Sequence, residues 1–219
     1  MNIILIGYGK MGHEVEKVAL AHNHKIVHKI DNDSDWKTLP TGDYVAIDFS
    51  MPAVVVSNIE RCFDKHISVV VGTTGWDADK ARLQQRCLNE NQALFHASNF
   101  SIGVYLFIRA AKFLAAQMPK QYSPSIAETH HIHKLDKPSG TALTLAKEVF
   151  GAADTVPIES IREGEVSGIH ELKFMSPEDE IILKHTAYSR AGFAFGAVRA
   201  AEWLVGKNGW FGMDEMIGM

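Results

Sequence analysis

Cysteine is scarce: Cys62 and Cys87 are the only two in 219 residues, and they stand in no metal-ligand spacing. That excludes a disulfide-built secreted scaffold and fits a reduced, cytoplasmic compartment. Long apolar runs are missing too, since none approaches the ~20 residues that span a bilayer. No basic segment precedes the apolar start, so no signal peptide is expected. Positive charge is not in excess. A formal net charge of −4 excludes a broad nucleic-acid surface, so any cationic site must be local. Internal repeats and low-complexity segments are also lacking. The expectation is a soluble cytoplasmic protein, with one large core or two small ones.

What is present alternates. The run NIILIG (Asn2 to Gly7) predicts a strand buried on both faces, and Met11, Val15, Val18 and Ala19 form a helical apolar stripe after it. Further strands are predicted in KIVHKID, DYVAIDFS, ISVVVGTTG and ALFHASNFS, with helices over 52–63 and 77–91. Strands alternating with helices imply an α/β fold with a parallel, Rossmann-like sheet. One link departs from this: NDSDWKTLPTG, between strands two and three, is too short for a crossover helix. From about Ile102 the pattern changes to a long apolar helix, a second helix over 140–150, and the strand-like runs VPIESIRE, GIHELKFM and EIILKHTA. The last two are joined by a short polar turn, which predicts an antiparallel region in a smaller α+β domain. A small-residue helix, FAFGAVRAAEWLV, lies in the tail.

Two stretches carry chemistry. GYGKMG places Gly7, Gly9 and Gly12 in the G-x-G-x-x-G spacing between a strand and a helix. Gly7 permits the tight turn, Gly9 the approach of a pyrophosphate, and Gly12 close packing of helix on strand. Asp31 ends the second strand, where an acidic residue meets the adenosine ribose; a solvated carboxylate among Asp31, Asp33 and Asp35 is the competing reading. No arginine follows Asp31 to receive a 2′-phosphate, although Lys10 and Lys29 partly substitute, so the lean is toward NADH or dual use. GTTG (Gly72 to Gly75) and ASNFS (Ala97 to Ser101) end strands four and five, where ligands of open α/β sheets bind; each alone also fits a plain strand-ending turn.

The second stretch is ETHHIHKLDKPSGTA, from Glu128 to Ala142. His130 and His131 supply groups that titrate near neutral pH, and Lys134 a compact cation. Pro138, Ser139, Gly140 and Thr141 read as a helix start, whose amides and dipole suit a carboxylate. Solvated loop histidines are the plain alternative. Zinc fits poorly, with no nearby cysteine and Lys134 repelling a dication, so no metal is expected.

These motifs resemble those of the 4-hydroxy-tetrahydrodipicolinate reductase (dihydrodipicolinate reductase) family. The E-x-H-H-x-x-K-x-D-x-P-S-G-T-A signature matches in full, and GYGKMG, IDFS with Pro52, VVGTTG, SNFSIGV, R-x-G-x-x-x-G-x-H (Arg162 to His170) and SRAGFAFGAVRAAEWL are similar. The resemblance implies a dinucleotide-binding domain over 1–101 with 190–219, and a substrate and tetramerisation domain over 102–189. It implies His130 as general acid/base, Lys134 as proton donor, and His131, Gly140 and Thr141 as substrate contacts. Cofactor contacts would be Gly7, Tyr8, Gly9, Lys10, Met11, Gly12, Asp31, Gly72, Thr73, Thr74, Ala97, Ser98, Asn99 and Phe100. The implied cofactor is NADH and/or NADPH, the substrate a small dicarboxylate, the assembly a homotetramer, the pathway lysine biosynthesis through diaminopimelate. Two departures stand out: a shortened segment between Asp31 and Asp43, and Lys10 where the family has arginine. Two other classes compete, a related two-domain amino-acid dehydrogenase and a non-catalytic nucleotide sensor. The sensor leaves the His130–Lys134 cluster without a role.

Overall fold

The structure is a computed structural model describing residues 1–218. The chain forms two compact units, one from Met1–Ser101 together with the segment from Ala191 onward, the other Ile102–Arg190.

The first unit opens with β1 (Asn2–Ile6), in which Ile3 to Ile6 are at most 1% exposed, so both faces are covered. It continues through α1 (Lys10–Ala21), β2 (Lys25–Ile30), β3 (Val45–Asp48), α2 (Pro52–Asp64), β4 (Ser68–Val71), α3 (Asp77–Asn89) and β5 (Ala93–His96). The second unit holds α4 (Ile102–Gln117), β6 (Ser123–His130), α5 (Gly140–Phe150), β7 (Ile158–Arg162), β8 (Gly168–Met175) and β9 (Glu180–Ala187). The chain then returns to the first unit with α6 (Ala191–Leu204), β10 (Gly209–Phe211) and α7 (Met213–Ile217).

Six strands pair in parallel in the order β10-β5-β4-β3-β1-β2. The strand order reverses between β1 and β3, which makes the carboxyl ends of those two strands the natural ligand crevice. Local sequence accounts for the flanking helices. Pro52 sits in the first turn of α2, where its missing amide costs nothing, and Val55, Ile59, Cys62 and Phe63 face the sheet at helical spacing. Where a crossover helix would join β2 to β3, a single 3-10 turn, Asp35–Thr38, buries Trp36.

In the second unit the sheet order is β7-β6-β8-β9, with β6 parallel to β7 and antiparallel to β8, and β8 and β9 a hairpin. Its core gathers Phe107, Ile126, Leu145, Leu172 and Phe174. Sequence period alone marks neither β6 nor the closing β10 and α7. In β6 the inward positions Ile126, Glu128 and His130 are mostly polar, which hides the alternation.

β3 ends in a fully buried carboxylate, Asp48. It accepts from the Ser50 amide (2.9 Å), the Ser50 hydroxyl (2.7 Å), Asn58 Nδ2 (3.0 Å) and Thr73 Oγ1 (2.8 Å). Burial raises its pKa above the ordinary value against the pull of these donors. Asp48 thus joins the loops after β3 and β4 to α2. Replacing it with an apolar residue strands several buried donors, each costing about 1–3 kcal/mol. Asp48→Leu is expected to lose roughly 3 kcal/mol or more in urea unfolding; a loss below about 1 kcal/mol would show the donors find other partners.

Candidate functional site

The glycine turn lies between β1 and α1. Gly7 adopts φ +82°, and a Cβ there would sit 2.5 Å from the Phe49 carbonyl oxygen. A Cβ on Gly12 would run into the Gly7 carbonyl, whereas one on Gly9 would meet no protein atom within 4 Å. No side chain caps α1, so no capping side chain competes for its first amides. Beside the turn is a cleft of about 420 Å³ at the switch point, lined by Gly7, Tyr8 and Gly9 after β1, Asp31 to Asp33 after β2, and Phe49 to Met51 after β3.

Asp31 accepts the Tyr8 amide (3.0 Å), tying the end of β2 to the glycine turn. Lys29 lies over the Tyr8 ring (4.0 Å), donates to the Tyr8 hydroxyl (2.7 Å) and pairs with Glu16 (2.8 Å). It is therefore engaged already. Lys10 is exposed, Met11 half-buried, and neither lines the cleft. Gly72, Thr73 and Thr74 follow β4, while Ala97, Ser98, Asn99 and Phe100 follow β5, at the same edge of the sheet but outside that cleft. Thr73 is held by Asp48 (2.8 Å), and Asn99 Oδ1 accepts the Ser101 amide (2.9 Å).

In the second unit, β6 directs Glu128 and His130 to the buried face, with Glu128 fully buried. Its carboxylate accepts from Arg162 Nη1 (3.1 Å) and Nη2 (3.0 Å), from the Ser139 amide (3.3 Å) and from His130 Nδ1. Burial raises the Glu128 carboxyl, but the Arg162 and His130 hydrogen bonds help hold it below its ordinary value. His130 is pushed down by burial and by the nearby Lys134 and Arg162 charges, with Glu128 opposing.

Ser139 caps α5, its hydroxyl accepting the Ala142 amide (3.2 Å) and contacting His170 Nε2 (3.1 Å). Gly140 and Thr141 therefore stand in the first turn of α5, and the half-buried His131 directly follows His130 at the end of β6. Lys134 pairs with Asp136 (2.8 Å). That ion pair is the main cause holding the Asp136 carboxyl below its usual range.

The comparisons with known proteins agree over the whole chain. The dihydrodipicolinate reductase N-terminal family matches residues 1–100, and the C-terminal family of the same enzyme matches 103–217. The chain belongs to the dihydrodipicolinate reductase family. It is 43% identical to the 4-hydroxy-tetrahydrodipicolinate reductase of Christiangramia forsetii, over 99% of this chain and 98% of that one. It is 32% identical to the reductase of the same name from Neisseria meningitidis, over 84% of this chain and 76% of the relative. The fold is shared with a dipicolinate-bound dihydrodipicolinate reductase from Paenisporosarcina, at a TM-score of 0.83 and 22% identity over 99% of both chains.

Within this reductase family chain, His130, His131, Lys134, Gly140 and Thr141 all fall on the turn between β6 and α5 or at its ends. Sequence reasoning placed Ser139 at the helix start but gave Glu128, Arg162 and His170 no part beyond their place in the matching motifs. Their signal was polar residues at inward positions of strands, which a solvent-facing strand reproduces equally well.

His170 is 4% exposed, and burial, then the His130 charge, pushes its pKa down to about 4. The unfolded chain binds that proton near pH 6.5, so the stability conferred by neutral His170 is present above 6.5 and is lost as pH falls toward 4. The loss amounts to about 3 kcal/mol. His170→Gln should flatten the fall in Tm between pH 6.5 and 4; an unchanged slope would place the acid sensitivity elsewhere.

Proposed function

We propose that this chain reduces 4-hydroxy-tetrahydrodipicolinate to tetrahydrodipicolinate with NADH or NADPH, in the diaminopimelate route to lysine. The observation that carries the reading is the convergence of His130, Lys134 and the capped start of α5 around the buried Glu128 carboxylate. The glycine turn, the uncapped α1 and the cleft beside Asp31 fit a dinucleotide on the first unit. NAD(P)H, when bound, supplies the hydride.

The chain's own residues hold the substrate and move its protons. One substrate carboxylate takes the first turn of α5, at Gly140 and Thr141; the other takes His131 and Lys134, in exchange for the Asp136 carboxylate. Departure of the 4-hydroxyl as water leaves a conjugated imine. A hydride supplied to C4 by a bound coenzyme would leave an enamine that needs a proton at C3. His130 is the catalytic residue for that proton, and Lys134 assists while stabilising the dianion. The remaining cofactor contacts would be Lys10, Met11 and Gly12 at the turn, and the loops after β4 and β5. Asp31 at the cleft, with Lys29 already engaged by Glu16, supports NADH use alongside NADPH.

A homotetramer in the cytoplasm completes the reading. Its support is β9, an edge strand that exposes Ile181 and Ile182, and two unpaired buried cysteines. Among the described residues no helix is long and apolar enough to cross a membrane.

The test is optical. NADH or NADPH should be oxidised in the presence of the condensation product of pyruvate and aspartate semialdehyde; no oxidation with either removes the reading. His130→Gln should lower turnover by ~10²–10⁴-fold with cofactor Kd unchanged, and equal loss of both would mean only that the fold was damaged.

A further inference from the structure

The motif running from Arg162 to His170 has no task in the reaction as described, yet its first residue grips the site. Arg162 is 8% exposed in its side chain and meets both oxygens of Glu128, which fixes the plane of that carboxylate. The guanidinium is itself held by the carbonyls of Lys134 (3.3 Å), Asp136 (2.6 Å) and Ile161 (2.7 Å). Glu128 therefore has no freedom to turn, and Oε2 is aimed at His130 Nδ1. On the other side of the imidazole a glycine, Gly168, keeps space beside Nε2, since a Cβ there would stand 3.1 Å from that nitrogen.

Resting on the reading of His130 as the proton-carrying group, we propose that Glu128, clamped by Arg162, is a positioning residue for the reaction: it pins the proton on His130 Nδ1 so that Nε2 is the nitrogen that exchanges protons with the substrate. A neutral imidazole has two tautomers, and the bond made by one nitrogen decides the role of the other. The charged groups facing His130 are Glu128 on its own strand, Lys134 in the following turn and Arg162 on β7, with His170 on β8. Glu128 is the anion among them. It favours the protonated ring against burial and the two cations. Through Arg162 the same carboxylate is bonded to the loop that carries Lys134, so both proton-handling groups share one anchor.

Glu128→Gln tests this in the full-length protein. The amide offers Nδ1 either an acceptor or a donor, so the tautomer is no longer fixed. In ¹⁵N-histidine spectra, assigned with His130→Gln, the wild type should show a protonated Nδ1 and an unprotonated Nε2 once the ring is neutral. Glu128→Gln should show both tautomers, a titration midpoint moved to lower pH, and an alkaline limb of kcat moved the same way. Turnover should fall by about 10²-fold, while cofactor KM stays within about threefold. Because Arg162 alone would be a buried unpaired charge, Glu128→Gln/Arg162→Gln serves if the single variant fails to fold. A folded variant that keeps the wild-type tautomer and midpoint, or keeps kcat within about threefold, overturns the proposal. Wild-type protein that pins Nδ1 yet oxidises neither NADH nor NADPH would sink the reductase reading while leaving the Glu128 contact standing.

Discussion

Glu128 is a carboxylate taken wholly out of water, and such a group is tolerable only where donors replace the solvent it lost. Those donors come from β6 itself (His130), from β7 (Arg162) and from the residue that caps α5 (Ser139). Each of these segments ties a different part of the cluster to Glu128: the imidazole, the carbonyl-bound loop of Lys134, and the helix start. Removing one partner of a buried ion pair costs about 3–5 kcal/mol, a large share of the ~5–15 kcal/mol that holds a domain folded. The carboxylate therefore sets where the imidazole, the ammonium loop and the helix amides stand relative to one another.

The first unit is built on a related constraint. Gly7 donates to the Ile30 carbonyl (2.8 Å), Phe49 to Ile6 (2.9 Å) and Gly72 to Asp48 (2.9 Å), so the loops after β1, β3 and β4 are each bonded to the end of a neighbouring strand. Asp48 adds side-chain bonds to Ser50, Asn58 and Thr73. A dinucleotide would meet a surface already ordered before binding, which lowers the entropy lost on association. The short segment after Asp31 belongs to the same scheme. Its amides at Asp31 (2.8 Å) and Asn32 (3.0 Å) donate to Asp35, and Trp36 is buried beneath the turn.

Much of this was legible in the residues. Continuous apolar runs such as NIILIG mark strands covered on both faces, and the glycine spacing marks the turn that follows. The β6–α5 turn was legible through its composition: histidines, a lysine, then Ser139 in a capping position. Of the strand that carries Glu128 and His130, only its end before Lys134 was legible, not its extent or its buried face. Its inward positions are polar, and local pattern cannot tell a buried ion pair from a wet surface until the partner on another strand is known. Arg162 lies 34 residues from Glu128, and no local period connects them. The 3-10 turn at Asp35–Thr38 escaped for a different reason, since a few residues with one buried tryptophan are too short to show any period.

The most direct measurement is a crystal structure of the protein with pyridine-2,6-dicarboxylate and reduced coenzyme. The account predicts one inhibitor carboxylate on the amides of Gly140 and Thr141, the other on Lys134 and His131 with Asp136 displaced, and the ring beside His130 Nε2. An inhibitor lying away from Lys134 and Thr141, with Asp136 still in place, would contradict it.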